Sequence, residues 1–309
     1  MKRSIWIFLI RRVLLIIPVL WAVATLTFVV IRLVPGGPFD REKVFPPTIK
    51  ANIEARYGLN LPWHLQYLRY MRMIITGDLG PSLKYRARNV NDILADTFGV
   101  SARLGAWAFL FTIFVGITAG TWAGLRPGSV ADKGGMFVAT VGVSTPSFVL
   151  ATLLIVLFAV HLGWFPPGLW EGPANMVLPA VALGFGPSAY IARLVRSSVL
   201  EVSGAPHVIA ARSRGVSRWR IVTKYILAGA LPPVVTVLGP LLAALVTGSF
   251  VIEYIFAIPG MGRYFITAVT NRDYPLIMGV TLVYTALVVL ANVAVDLLYV
   301  ALDPRVEVQ

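Results

Sequence analysis

Cysteine is absent from the 309 residues, so no disulfide and no thiolate metal site can form, and the redox compartment leaves no mark on the sequence. Histidine is nearly as scarce. His64, His161 and His207 stand far apart and show no H-E-x-x-H or comparable ligand spacing, which argues against a metal site within the chain. No lysine follows a glycine, so the Gly-Lys step of a phosphate-cradling P-loop is missing and the chain cannot hold ATP that way. A Gly-x-Ser-x-Gly nucleophile elbow is missing too. Charged residues make up only 13% of the chain.

What fills the sequence instead is apolar: 57% of residues are hydrophobic and the mean hydropathy is +0.78, well above a soluble domain. Crossing a hydrocarbon core of about 30 Å takes a helix of about 20 apolar residues. Uncharged runs of that order occupy Val13–Ile31, Leu104–Leu125, Gly134–Trp170, Gly172–Ala192, Tyr225–Ile252 and Tyr274–Val295. The third is too long for one crossing, and His161, Gly163, Pro166, Pro167 and Gly168 mark where it should leave the bilayer. The runs lack the alternation of a membrane β-barrel. The expectation is an all-α integral membrane protein with six spans. Val13–Ile31 follows Lys2, Arg3, Arg11 and Arg12 as a secretion signal would, but it is too long for a signal core and no small-x-small site follows, so it should remain as the first span.

The net charge of +13 suggests nucleic acid until the charges are placed. With six spans and the N-terminus inside, Arg126, Lys133, Arg193, Arg196, Arg212, Arg214, Arg218, Arg220, Lys224 and Arg305 join the N-terminal basic residues on the cytoplasmic side. The two short outer loops hold only Arg263 and Arg272. This asymmetry puts both termini in the cytoplasm and needs membrane lipid, not nucleic acid, as its partner. The chain divides into an N-terminal tail and first span (1–34), an extracytoplasmic insertion (35–97), a core of five spans (98–302) and a C-terminal tail (303–309). Within the insertion, helices are expected from about Thr48 to Tyr57, stopped by Gly58, and from Pro62 through Ile75, stopped by Gly77.

Between the fourth and fifth spans, about 201–224, the chain changes character. Pro206 starts a helix of about two turns from His207 to Arg214, Gly215 supplies a left-handed stop, and Ser217 is placed to cap the next helix. The basic residues here can bind anionic headgroups. The Ala210-Ala211 pair, the glycine stop and the flanking prolines specify more backbone than headgroup binding requires, and favour a protein contact.

Ala210-Ala211-x-x-x-Gly215 resembles the EAA loop of bacterial ATP-binding-cassette importer permeases, with Ile209 where the family's glutamate usually stands. Arg32-Leu33-Val34-Pro35-Gly36-Gly37-Pro38-Phe39, Gly77-Asp78-Leu79-Gly80-Pro81-Ser82, Val251-Ile252-Glu253-Tyr254-Ile255-Phe256 with Pro259-Gly260-Met261-Gly262, Asn271-Arg272-Asp273-Tyr274 and Leu302-Asp303-Pro304-Arg305 add matches in order along nearly the whole chain. Together they resemble the B-type permease subunits of the oligopeptide branch, whose relatives serve dipeptides, glutathione and nickel. The stretch from Pro46 to Tyr57 looks oligopeptide-type. Taken singly, these segments read as turns, helix stops or, for Glu253, an interfacial charge.

The resemblance implies a type I importer permease with six transmembrane helices, paired with a homologous C-type permease subunit. Two ATPase subunits would bind ATP and Mg below, and an extracytoplasmic peptide-binding protein would deliver peptide above. It implies no catalytic, cofactor or metal residue on this chain. Pro206, His207, Ile209, Ala210, Ala211, Arg212, Arg214, Gly215 and Ser217 become the ATPase-coupling contact, with Ala210 and Ala211 permitting close approach. Ser144, Thr145, Ser147, Thr236, Thr247 and Ser249 are candidates to line the pathway or, equally, to pack helices together. A secondary transporter driven by an ion gradient is the competing class. It would bury ionisable residues at mid-membrane, whereas Arg103 and Asp296 lie near span ends.

Overall fold

In the computed structural model, residues 2–38, 54–55, 57–85 and 87–302 are described, with side chains from 14 to 294 within those limits. Of the expected helix at Thr48–Tyr57, Glu54, Ala55 and Tyr57 are described and helical, while 48–53 and 56 lie outside the described residues, as do the C-terminal motif from Asp303 and the side chain of Asp296. The described chain is helical apart from one isolated bridge, Pro81 to Asn89. Five helical segments are long and apolar enough to cross a membrane, and a bent pair supplies a sixth crossing.

Helix α1 (Lys2–Leu33) carries Pro18 in its interior. Helix α2 (Trp63–Thr76) ends on Gly77, whose φ of 70° is the left-handed stop that glycine adopts without penalty. Helix α3 (Val90–Leu125) starts at an Asn89–Asp92 capping box and runs about 54 Å at 1.5 Å per residue. It therefore carries the chain from the insertion end of the bundle to the opposite end.

The long third run leaves its helix after His161, where its glycines and prolines at 163–168 suggested, and it also breaks once earlier. It bends by 112° between α4 (Val130–Ser144) and a second helix, α5, α-helical over Ser147–Leu154 and π-helical over Ile155–His161. The cause is Pro146. A proline disfavours the helical region for its predecessor, and Thr145 sits at ψ 123°. Helix α6 (Ala174–Ser203) continues past the uncharged run to include Arg193 and Arg196.

Helix α7 (Pro206–Ser213) is the short segment before the glycine stop. Helix α8 begins as Arg218–Ile221, widens into a π turn at Val222–Ile226 and closes as Leu227–Ala230. Pro232 starts α9 (Pro232–Val246), and a break at Thr247–Gly248 separates it from α10 (Phe250–Ile255). Helices α11 (Met261–Asn271) and α12 (Tyr274–Leu302) complete the bundle.

Glycine at four-residue spacing fixes the central seam. Gly116, Gly120 and Gly124 on α3 lie against Ile191, the Ala192 carbonyl and Val195, and Val199 of α6, where an added Cβ would fall within van der Waals distance. The same seam carries a bond from Thr112 Oγ1 to the Gly184 carbonyl, 3.0 Å. In lipid, where apolar surface alone gives helices little reason to associate, such close backbone approach supplies the packing energy.

Candidate functional site

At the end of the bundle reached by α3, the backbone of α7 is specified residue by residue. Ala205 is extended at ψ 144° and Pro206 occupies the first helical position, where its missing N–H costs nothing. At the other end, the Gly215 N–H donates to the Arg212 carbonyl (3.0 Å) and the Val216 N–H to the Ala211 carbonyl (3.2 Å). These are the two bonds of a Schellman stop, with Gly215 at φ 74°. Ser217 stands at the N-cap position of α8, but its side chain makes no capping bond, so the capping expected of it is absent.

The helix has two faces. Val208 and Ala211 are fully buried, packed with Val195, Val199, Ile221 and Val234. His207, Ile209, Ala210, Arg212, Arg214 and the edge at Pro206 are exposed, Ile209 at 53%. Only Ala210 of the alanine pair is therefore free for close approach by another protein; Ala211 seats the helix on its own bundle. Arg214 folds back, donating from Nε to the Ala210 carbonyl at 3.1 Å. The first residues of α8 extend the exposed surface with Trp219, 78% exposed.

The sequence reading missed what braces this end. Arg196 of α6 donates to Asp132 from Nε (2.5 Å) and Nη2 (2.8 Å), and the same carboxylate accepts from the Gly128 N–H at 2.9 Å. Asp132 is also the residue whose N–H is capped by Ser129 Oγ. The available signal was Ser129-x-x-Asp132, a capping pattern carrying an acid in a loop otherwise rich in positive charge.

The candidate pathway residues scatter. Ser144 and Ser147 are exposed and Thr145 half-buried at the α4–α5 bend, and Thr236 is exposed on α9. Thr247 is 5% exposed, with its hydroxyl bonded to the Ala243 and Ala244 carbonyls, which makes it a packing residue. Ser249 caps α10 through the Ile252 N–H. No common surface gathers all six.

Glu253 is no interfacial charge: it is completely buried. Its Oε2 accepts from the Gly262 N–H at 2.8 Å, while Ser101 Oγ of α3 accepts from the Met261 N–H at 2.9 Å. A Cβ at Gly248, Gly260 or Gly262 would run into the carboxylate, so the glycines of the Pro259-Gly260-Met261-Gly262 turn make room for an acid from the preceding helix. Burial without hydrogen bonds is costly for a carboxylate, and these contacts offset part of that cost.

Three of the spaced motifs meet at the insertion end. Asp273, fully buried, accepts from Ser82 Oγ, the Leu83 N–H (3.1 Å) and the Lys84 N–H (3.3 Å). Arg272 Nη1 donates to the Gly37 carbonyl at 3.3 Å, and Tyr274 Oη to the Gly36 carbonyl at 3.3 Å. The turn after α2, the start of α12 and the segment after α1 are thus one polar knot.

A multi-span helical bundle with an exposed, backbone-specified helix at one end and a folded insertion at the other is the architecture of a membrane permease. The profile described as "Binding-protein-dependent transport system inner membrane component" matches residues 116–308, and the chain belongs to that family. It is 44% identical over 300 residues to the dipeptide transport system permease protein of Bacillus subtilis, covering 97% of each chain. It is 43% identical over 301 residues to the oligopeptide transport system permease protein of Escherichia coli K12, covering 97% of this chain and 98% of the other. Among solved structures, an inward-facing form of the MetNI methionine ABC transporter superposes with a TM-score of 0.56 at 21% identity, covering 68% of this chain and 96% of that one. The fold is that of a type I importer permease, and the chain is a multi-pass inner-membrane permease component.

Proposed function

We propose that this chain is one of two homologous permease subunits forming the peptide pathway of an ATP-driven importer, with oligopeptides as the finer choice carried by residues 46–57. Its termini lie in the cytoplasm and the 35–97 insertion faces outward, where a peptide-binding protein docks. ATP and Mg are held by two ATPase subunits below, and this chain performs no chemistry itself.

The observation that carries this reading is the exposed face of α7, held rigid by Pro206, the Schellman stop and the buried Val208 and Ala211. Rigidity is what a lever needs. When the ATPase pair closes on ATP, force applied to Ile209, Ala210, Arg212 and Arg214 is passed through Ala211 to α6 and α8. The bundle then switches between inward-open and outward-open states as a rigid body.

The test is the energy source of uptake in proteoliposomes holding the assembled transporter and a binding protein loaded with radiolabelled peptide. Uptake is expected to stop on ATP depletion and to survive an uncoupler. The opposite pattern would identify an ion-gradient-driven carrier.

A further inference from the structure

One unassigned cavity lies away from both the coupling surface and the candidate pathway. At the insertion end, α2, the last turn of α1, the 81–89 hairpin and the first turns of α12 enclose a cavity of about 350 Å³. Arg32, Arg69 and Arg88 line it, and none of the described lining residues is acidic.

The charges there are unequally satisfied. Arg88 pairs with Asp96. Arg32 lies 3.6 Å over the Phe28 ring and donates from Nε (3.2 Å) and Nη2 (2.6 Å) to Gln66 Oε1, a neutral oxygen. Gln66 is itself fixed by donating to the Leu59 and Leu61 carbonyls, at 3.0 and 2.7 Å. The Arg32 guanidinium is thus held rigidly with no carboxylate among the described residues to balance it. Arg69, on the next turn of α2 from Gln66, lacks a hydrogen-bonding or ionic partner among the described residues and points its Nη1 towards Gly58. At the cavity floor, Tyr70 is 6% exposed and its hydroxyl has no partner among the described residues. Burial pushes that phenol above its usual range, so it remains a donor. Two unbalanced guanidiniums and a buried unpaired hydroxyl around one space describe a site short of an anion.

The surroundings select the kind of anion. Arg32 ends a spanning helix and Tyr274 begins another, so the cavity lies where hydrocarbon gives way to headgroups. Helix α2 exposes Trp63, Leu65, Leu68 and Ile75, the composition of a helix lying in a membrane interface. Tyr274 also lines a neighbouring apolar groove of about 520 Å³ between α1 and α12, walled by Leu26, Val30, Val34 and Ile277. A phosphate beside such a groove is a phospholipid.

We propose that this cavity binds one anionic phospholipid, with its phosphate held by Arg32 and Arg69 above the Tyr70 hydroxyl and an acyl chain in the adjoining groove. The lipid would staple the insertion to α1 and α12. This inference does not depend on which substrate is transported or what powers it.

Native mass spectrometry of the assembled, delipidated transporter tests it, with phosphatidylglycerol, phosphatidylcholine or inorganic phosphate added separately. The wild type is expected to hold phosphatidylglycerol in preference to phosphatidylcholine. Arg69→Gln is expected to weaken phosphatidylglycerol about tenfold, the loss of one charge-assisted contact. Arg72→Gln, an equal charge change on the same helix outside the cavity lining, is expected to bind as wild type. If Arg69→Gln does not fold, Tyr70→Phe, which keeps the ring packing, must show the weakening instead. Equal affinity in wild type and variants, or equal binding of phosphatidylcholine, overturns the site. Binding of inorganic phosphate without phospholipid overturns the lipid assignment.

Discussion

Arg196 and Asp132 form a two-bond ion pair, Nε to Oδ1 at 2.5 Å and Nη2 to Oδ2 at 2.8 Å, that joins the start of α4 to the last turns of α6. The carboxylate side chain is 3% exposed and the guanidinium 29%, so water screens the pair only from one side. Helix α7 follows α6 directly, and the pair therefore braces the support against which α7 is pressed.

Asp132→Ala removes both bonds, frees the Gly128 N–H and leaves a half-buried guanidinium unpaired. The unfolding midpoint is expected to fall, by less than for a fully buried pair because Arg196 reaches solvent. Thermal unfolding in detergent measures it. The exchange Asp132→Arg with Arg196→Asp should recover part of the loss, and no recovery would show that the pair does not act as a unit.

Glu253 invites a finer comparison. Glu253→Gln keeps an acceptor for the Gly262 N–H and should unfold within about 1 kcal/mol of wild type. Glu253→Ala leaves that N–H and Ser101 facing an empty space, at a cost of about 2–4 kcal/mol. Gly260→Ala should be as damaging as Glu253→Ala, because its Cβ would land on the carboxylate. A Gly260→Ala variant as stable as wild type would mean that the glycine turn is not shaped by the acid.

The α3–α6 seam predicts opposite outcomes for two glycines. Gly120→Val drives a branched side chain against the Ala192 carbonyl and Val195, and should cost at least about 3 kcal/mol and most of the folded yield. Gly134→Ala on α4 meets nothing within 4 Å and should gain about 0.5–1 kcal/mol from helix propensity. Detergent-solubilised yield by fluorescence size-exclusion chromatography and unfolding midpoints separate the two.

These contrasts show what the sequence could reveal. Spanning helices announce themselves because every residue of a 20-residue stretch must be apolar, and the α7 turn does so because proline and glycine have few alternative uses there. The glycine seam was equally present at 116, 120 and 124 but reads as ordinary apolar filler until α6 is known to lie against it. Glu253 and Asp273 were harder still. A lone acid next to a turn has the same appearance whether it faces water or is enclosed, and only the tertiary approach of Ser101 or Ser82 decides. The bend at Pro146 is legible from the pre-proline rule, but the denser glycine and proline cluster that ends α5 downstream is the louder signal.

Gly215 is the position where coupling and stability come apart. A Cβ there meets no atom within 4 Å, so substitution costs only the left-handed φ of 74°, about 1–2 kcal/mol for an ordinary L residue. Gly215→Leu should therefore insert and assemble. To escape the strain, residue 215 would leave the left-handed region and break the bond from the Val216 N–H to the Ala211 carbonyl, re-aiming the entry to α8 and tilting the exposed face of α7. Peptide-stimulated ATP hydrolysis and uptake should both fall to background in the reconstituted transporter. Gly215→Asn, whose side chain tolerates the left-handed region, should retain intermediate activity. Normal uptake by the leucine variant would show that force does not pass through this turn.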